Sequence, residues 1–194
     1  ALTKNLQGAD QANPHVAERL RGSRTVFLRN YPLLSEFFGS ADASDGASST
    51  PLSSRPTHIV YVGALAVSRG VLDMVNAMEF VPESWGAELI LVGKFESAET
   101  EARARALPGW RKVRYLGWKD HHSAMALLKN CRIGLTVLHP TSQYEVCLPT
   151  KLLEYMAAGI PVISTNLRLS ANIIETHQSG LVLEDFSAKN IGAA

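Results

Sequence analysis

The sequence predicts an α/β protein built on a doubly wound, Rossmann-like parallel sheet. The chain has 194 residues, of which 46% are hydrophobic and 19% charged, enough to bury a core. From residue 57 onward, short apolar segments alternate with segments of helical spacing, which is typical of parallel strands joined by covering helices. Ligands of such sheets bind beyond the carboxyl ends of the strands. Function is therefore expected in the loops that open at Gly63, Gly93, Gly117, Leu138 and Thr165.

Strands and helices are predicted to alternate along this region. The strands are short runs rich in Val, Ile, Leu and aromatic residues, at 58–62, 88–92, 113–116, 133–137, 162–164 and 181–183. The helices place apolar residues at helical spacing, at 70–80, 98–106, 121–130, 150–158 and 170–176. Asp120 stands just before the third helix and is predicted to cap it.

The region before residue 57 has a different character. Residues 1–33 contain a segment of helical spacing and then a short apolar run that reads as a strand. They fit either an ordinary lead-in or the end of a preceding domain. Residues 34–56, rich in Ser, Ala, Asp, Gly and Pro towards their end, predict a flexible linker.

Composition and charge argue against several functional classes. A net charge of +1 provides no general attraction to nucleic acid, so none is expected as a partner. Cys131 and Cys147 lack metal or redox spacing and are expected to be reduced residues of a cytosolic protein. No apolar run approaches the roughly 20 residues of a membrane span, and the start of the chain has no signal-peptide pattern. The chain begins and ends abruptly, so we expect a piece of a longer protein.

Residues 148–163 read as a helix that leads directly into a buried strand. Pro149 suits a first helical turn, and Gly159 suits a left-handed cap. Helical spacing predicts one buried face, formed by Leu152, Leu153, Met156 and Ala157, and an opposite face formed by Lys151, Glu154 and Tyr155. On physical grounds, Lys151 and Glu154 fit a solvated surface ion pair that contributes roughly 0.2–0.5 kcal/mol.

The loop after the first strand has the composition of a diphosphate site. Gly63 lets backbone approach a ligand closely, Gly70 opens a helix, and Arg69 adds a forked cation beside it. The two glycines are seven positions apart, unlike those of a P-loop or a dinucleotide-binding fingerprint. A surface arginine at a helix start remains the alternative interpretation.

The remaining loops are less informative. The strand at 88–92 is not followed by the acidic residue that usually holds a nicotinamide ribose, which argues against a dehydrogenase. Trp118 fits either a ligand contact or ordinary packing. His121 and His122 lack metal-ligand partners and fit exposed helix-start residues, and no metal site is predicted. His139 is expected to be a loop residue.

The residue patterns of two segments resemble motifs of one enzyme family. Pro149-x-Lys151-x-x-Glu154-Tyr155-Met156-Ala157-x-Gly159-x-Pro161-Val162-Ile163 resembles the donor-binding segment of retaining GT-B glycosyltransferases of the group 1 (family 4-like) kind. Gly63, Arg69 and Gly70 match a second family motif, although Ala64 replaces its usual arginine after the first glycine. The resemblance covers roughly residues 25–184.

This resemblance implies a role for each matching residue. Arg69 and Lys151 would stabilise the departing diphosphate, and Glu154 would hold the nucleotide ribose. The nucleobase would lie near Gly117 and Trp118, and the remaining donor contacts would come from Gly63, Gly70 and Leu148. Glu145 would contact the donor sugar as a third catalytic residue, but it precedes Glu154 by nine positions where the family usually has eight.

The resemblance also implies the setting of the activity. Residues 57–194 would be a truncated nucleotide-sugar-binding domain, the C-terminal half of a GT-B fold, and residues 1–33 the end of a missing N-terminal domain with its connector. The substrates would be a nucleotide sugar, such as a UDP- or GDP-sugar, and a glycan or lipid-linked acceptor of polysaccharide biosynthesis. No cofactor is implied, and the fragment would be inactive without its partner domain.

The implied location is cytoplasmic, with a peripheral place at the inner membrane face as an option for the longer protein. A GT-B nucleotide-sugar epimerase, a nicotinamide-binding domain, a non-catalytic nucleotide-binding module and a non-enzymatic scaffold remain the alternatives.

Overall fold

The computed structural model describes residues 31–32 and 51–194. Within these residues, the strands form one fully parallel sheet in the order β3-β2-β1-β4-β5-β6. Their bounds are β1 (His58–Val62), β2 (Glu88–Val92), β3 (Val113–Gly117), β4 (Ile133–Thr136), β5 (Val162–Thr165) and β6 (Gly180–Leu183). This sheet confirms the doubly wound, Rossmann-like α/β fold.

The α-helices of the described residues are α1 (Val71–Ala77), α2 (Ala98–Ala106), α3 (His121–Leu128), α4 (Ser142–Glu145), α5 (Thr150–Ala157), α6 (Arg168–His177) and α7 (Ala188–Ala193). Short 3₁₀ helices occur at Leu52–Ser54, Val67–Arg69, Glu83–Trp85 and Pro108–Lys112. The predicted cap is confirmed, because the Asp120 side chain accepts a hydrogen bond from the backbone N–H of Ser123. None of the helices in the described ranges is long and apolar enough to cross a membrane.

Each face of the sheet buries its own apolar core. Helices α1, α2 and α7 pack on one face, where Tyr61 and Leu91 belong to the core. Helices α3, α5 and α6 pack on the other face, where Val60, Leu152 and Tyr155 belong to the core. Covering both faces explains why the strands read as nearly continuous apolar runs.

Helix α5 buries a different face from the predicted one. Lys151, Leu152 and Tyr155 are buried, whereas Leu153 and Met156 are only half-buried. The prediction chose the wrong face because it counted lysine and tyrosine as polar, although most of each side chain is apolar. The prediction that Lys151 and Tyr155 lie on an outward face is wrong.

A glycine in β4 makes room for the buried tyrosine of α5. A Cβ atom added to Gly134 would lie 2.4 Å from the Tyr155 ring, far inside van der Waals contact. The Tyr155 hydroxyl in turn accepts a hydrogen bond from the Val62 backbone N–H at 3.1 Å. Tyr155 therefore ties α5 to the end of β1.

The end of the predicted linker lies against the domain. Arg55 is 4% exposed and donates a hydrogen bond to the Cys131 carbonyl at 3.1 Å. Arg132 donates back to the carbonyls of Arg55 and Ser53, each at 2.7 Å. The predictions for residues 1–30 and 33–50 lie outside the described residues, and the predicted domain boundaries stay predictions.

Candidate functional site

The sheet reverses its winding between β1 and β4, which creates a crevice at their carboxyl ends. The two strands pair only through Ile59 with Ile133 and Val60 with Gly134, so they separate before β1 ends at Val62. Chain order also runs outward in opposite directions from this point. Doubly wound sheets bind ligands at such a switch point. The loops after β1 and β4 therefore form the walls of the candidate site.

The loop after β1 is held close to the loop after β2. Gly63 has a φ of +144°, which favours glycine, and its N–H donates to the Val92 carbonyl at 2.9 Å. A Cβ atom on Gly93 would lie 1.8 Å from the Gly63 carbonyl oxygen, so this approach also requires glycine. Leu65 pairs with Phe95 as a short parallel bridge. These contacts fix the backbone around Gly63 and Gly93, which forms the floor of the crevice.

Lys151 reaches this floor from the first turn of α5. Its side chain is buried, with the Nζ atom 3.8 Å from the centroid of the Tyr61 ring. A Cβ atom on Gly63 would lie 2.9 Å from that same nitrogen. Among the described residues, Lys151 Nζ has no hydrogen-bond partner. The solvated surface pair with Glu154 is therefore a wrong interpretation.

Burial sets the electrostatics of this amine. Loss of hydration and, to a smaller extent, the charge of Arg69 lower the pKa of Lys151, the charge of Glu154 opposes both, and the resulting pKa is about 7. Burial raises the pKa of the Tyr61 phenol from its ordinary value of 10 to about 12, so this neutral side chain becomes still harder to ionise. A lysine in these surroundings exchanges its proton near neutrality.

Arg69 also lies against Tyr61. Its guanidinium group is beside the hydroxyls of Tyr61 and Tyr144, and it is half-buried. The Tyr61 hydroxyl donates to the Ala64 carbonyl at 3.0 Å, which leaves its oxygen lone pairs for Arg69. Tyr144 comes from α4, in the loop after β4, so Arg69 joins the two walls of the crevice. Lys151 and Arg69 thus both contact the Tyr61 side chain.

Gly70 has a packing role in the structure. A Cβ atom there would lie 2.1 Å from the Val137 carbonyl oxygen, and the residue has a φ of +73°. The N–H groups of Gly70 and Val71 already donate to the carbonyls of Val67 and Ala66. A donor contact from Gly70 stays a prediction.

The loop after β3 lies farther along the same edge of the sheet. Gly117 has a φ of +68°, and nothing lies within 4 Å of the position a Cβ atom would take. Trp118 is 64% exposed, with Lys94 Nζ 6.0 Å from its ring centroid. This exposure disfavours the packing interpretation of Trp118, since a core tryptophan would be covered.

The loop after β4 carries the remaining predicted residues. Thr141 caps α4 by accepting a hydrogen bond from the Tyr144 N–H, and Glu145 ends this helix with an exposed side chain. Leu148 is half-buried at the entry to α5. Glu154 is half-buried on α5, near enough for its charge to act on Lys151. Their contacts with a donor stay predictions.

Sequence reasoning missed a connection between the two loops. His139 Nε2 lies 2.7 Å from Asp73 Oδ2 of α1, and the His139 N–H donates to the Ser68 carbonyl at 3.0 Å. The His139 ring also stacks on Phe186, with 4.7 Å between the centroids. No spacing in the sequence relates residues 66 positions apart. Within the described ranges, no group of three His, Cys, Asp or Glu side chains is placed to hold a metal ion.

The strand order and the switch-point crevice define a doubly wound domain of the kind that forms one half of GT-B glycosyltransferases. Residues 56–194 match the family described as glycosyl transferases group 1, and the chain belongs to that family. No curated protein matches the chain in sequence.

Several solved structures share the fold. WaaG, a glycosyltransferase involved in lipopolysaccharide biosynthesis, is 23% identical with a TM-score of 0.60, over 72% of this chain and 37% of its own. Anabaena Alr3699/HepE, solved in complex with UDP and glucose, is 16% identical with a TM-score of 0.65, over 92% of this chain and 49% of its own. The catalytic domain of the Helicobacter pylori cholesterol-alpha-glucosyltransferase is 19% identical with a TM-score of 0.57, over 71% of this chain and 82% of its own. The chain thus spans less than half of the first two proteins.

Proposed function

We propose that this chain is the donor-binding part of a retaining, metal-independent GT-B glycosyltransferase of the family 4-like kind. It would bind a UDP- or GDP-sugar, and the whole enzyme would transfer the sugar to a glycan or lipid-linked acceptor. The observation that carries this proposal is that the buried amine of Lys151 and the guanidinium group of Arg69 both lie against Tyr61 in the switch-point crevice. Membership of the group 1 family and the UDP bound to Alr3699/HepE support the same conclusion.

The two cations favour an anionic ligand for a simple energetic reason. A buried ammonium group without a hydrogen-bond acceptor is costly, by several kcal/mol in real proteins. A diphosphate in the crevice would supply oxygen acceptors to Lys151 and negative charge to both cations. Since both side chains are already positioned, Arg69 and protonated Lys151 would stabilise charge as it builds on the departing diphosphate. The proposed reaction would use neither a metal ion nor a cofactor.

The remaining donor contacts follow from position along the crevice. Glu154 would accept hydrogen bonds from the ribose diol, and the open backbone at Gly117 with the exposed Trp118 would receive the nucleobase. Gly63 would let the diphosphate approach the floor. These assignments rest on the family motif together with the shared edge of the sheet on which the residues lie.

The loop after β4 would complete the donor site. Leu148 would lie beside the donor, and Glu145 would contact the sugar from the end of α4. Gly70 would support the loop after β1. Contacts with the acceptor and further catalytic groups would come from an N-terminal domain, so this chain should bind donor with little turnover. The whole enzyme would act in polysaccharide biosynthesis, and its location would be cytoplasmic.

Calorimetric titration of the purified chain with UDP, GDP, ADP and NAD tests this function. We expect one of the nucleoside diphosphates to bind and NAD to give no signal. Thermal unfolding of the same preparation, with and without each nucleotide, provides an independent readout because a ligand of the native state raises the melting temperature. Tight binding of NAD with no response to any nucleoside diphosphate would overturn the proposal.

A further inference from the structure

Lys151 is a buried amine whose surroundings do not match a permanent positive charge. Its residue is 7% exposed, and among the described residues its Nζ atom has no hydrogen-bond acceptor. From β1 it faces the Tyr61 ring at 3.8 Å and the backbone of Gly63. From the turn after β1 it faces the charge of Arg69, and from its own helix the charge of Glu154.

These neighbours compensate an ammonium group only weakly. The Tyr61 ring attracts a cation, but its neutral phenol supplies no negative charge. Arg69 repels a second cation, while Tyr144 approaches Arg69 rather than the amine. Glu154 attracts the amine but does not outweigh burial, so the pKa of Lys151 falls to about 7. Near neutral pH, the empty crevice therefore holds ammonium and neutral amine in comparable amounts.

We propose that the crevice binds a nucleoside diphosphate together with a proton, which Lys151 takes up from solvent as the phosphates arrive. The inference rests on the proposed function, since it concerns the same diphosphate site. No covalent bond forms or breaks in this step. Phosphate oxygens would give the ammonium form its missing acceptors, which raises the pKa of the bound lysine. When the nucleotide leaves, the pKa of Lys151 would fall again and the amine would release the proton to solvent.

The sign of the pH dependence follows from this linkage. Below about pH 7 the amine already carries its proton, so affinity gains nothing from further acid. Above about pH 7, each further pH unit lowers the protonated fraction of Lys151 about tenfold, and the affinity falls with it. With a pKa of about 7 in the empty site, affinity should fall about 15-fold between pH 7.0 and 8.5. The terminal phosphate of UDP or GDP, with a pKa of about 6, is already mostly ionised over this range.

Calorimetry in paired buffers of different ionisation enthalpy measures the proton directly. We would titrate the full chain with UDP and with GDP at pH 7.0, in PIPES and in imidazole at equal ionic strength. We expect uptake of about half a proton for each nucleotide bound, because the amine is about half protonated beforehand. The Lys151→Met variant should bind about 10- to 150-fold more weakly, with that uptake removed. The titration of the nucleotide itself is common to both proteins and cancels in the comparison.

A spectroscopic titration covers the case in which the variant binds too weakly for calorimetry. Reductive methylation with ¹³C-formaldehyde labels the lysines of the wild-type chain, and Lys151→Met identifies the signal of residue 151. Its midpoint should lie near pH 7 in the empty protein and should move upward with saturating nucleotide. Nucleotide binding that is independent of pH, with equal proton uptake in both proteins, would overturn the inference and leave the proposed function standing. No binding of either nucleotide would overturn both.

Discussion

At the scale of single residues, Lys151 and Arg69 contribute different chemistry to the crevice. Arg69 is half-buried, keeps its charge at every physiological pH and can address a phosphate with two parallel donors. Lys151 is buried, offers a compact point charge and exchanges its proton near neutrality. Both contact the Tyr61 side chain. We infer that one cation provides constant attraction while the other gains its charge on binding.

Replacing Arg69 with alanine should weaken nucleotide binding without unfolding the chain. Loss of a charge-assisted hydrogen bond to phosphate costs about 1.5–3 kcal/mol, or roughly 10- to 150-fold in affinity. Arg103→Ala is a matched control, because Arg103 is exposed on α2, away from the crevice walls. UDP titration and thermal melts of both variants provide the measurement. Equal affinities in the two folded variants would show that the loop after β1 is only a turn.

Replacing Glu154 with glutamine tests the ribose contact. A carboxylate can accept both hydrogen bonds of a ribose diol, so Glu154→Gln should weaken UDP or GDP binding by about 1–3 kcal/mol while the fold persists. Glu175→Gln on α6, at an exposed position, is the control for loss of a surface charge. Affinities would come from calorimetry at one pH and one salt concentration. A change smaller than twofold, well under 1.4 kcal/mol, would contradict the assignment.

At the scale of elements, the fit between β4 and α5 positions the site. The ring of Tyr155 occupies the space that a side chain on Gly134 would fill, and its hydroxyl satisfies the N–H of Val62. Because α5 is fixed in this way, Lys151 one turn earlier points at the end of β1. A packing contact without any ligand role therefore sets where the amine lies.

Gly134→Ala should destabilise the protein by overpacking this contact. Forcing an extra methyl group into a filled core typically costs about 1–3 kcal/mol. Tyr155→Leu removes the ring and should be destabilising by itself, but the double variant should lose less than the sum of the two single losses. Urea unfolding of the four proteins gives the coupling free energy. Strictly additive losses would mean that the two residues do not press on each other.

The sequence predicted the strands well and the orientation of α5 poorly, because strand patterns are local whereas the packing of α5 depends on residues distant in the sequence. Strands β1 and β2 and helix α2 have the predicted bounds because their apolar runs and flanking turns are unambiguous. Helix α4 was not predicted, since four residues cannot show a helical period. The face of α5 was misplaced because its spacing does not reveal that a glycine on β4 admits a tyrosine ring.

The site shows the same division between local and distant information. Gly63 and Arg69 stand in one loop, so their nearness is visible in the sequence. Tyr144 reaches Arg69 only through the fold, and the burial of Lys151 depends on α5 packing beside β1. Motif matching selected Lys151 as a candidate cation, but the sequence did not reveal its burial, which lowers its pKa.

At the scale of the whole molecule, burial of the Lys151 amine in the crevice destabilises the folded chain. Lys151 has a pKa of about 7 in the folded chain and an ordinary value of 10.5. Between these two pH values, the unfolded chain binds more protons than the folded chain, so the free energy of unfolding rises with pH. The penalty is fully present below about pH 7 and disappears as the pH approaches 10.5. A bound diphosphate would offset the same penalty at neutral pH.

This balance predicts that Lys151→Met is more stable than the wild-type chain at pH 7 although it binds nucleotide worse. Methionine has a similar shape, and replacing a buried, poorly compensated charge by an apolar group is often stabilising by about 1–4 kcal/mol. The advantage should shrink by about 1.4 kcal/mol for each pH unit between about 7.5 and 9.5, because the wild-type lysine is neutral in the folded chain but still protonated in the unfolded chain over this range. Urea unfolding of both proteins at intervals across this range measures it, and subtraction removes all titrations that the two proteins share. A stability difference that stays constant with pH would show that Lys151 carries its ordinary charge in the folded chain, and a less stable variant at pH 7 would show that the ammonium is well compensated there.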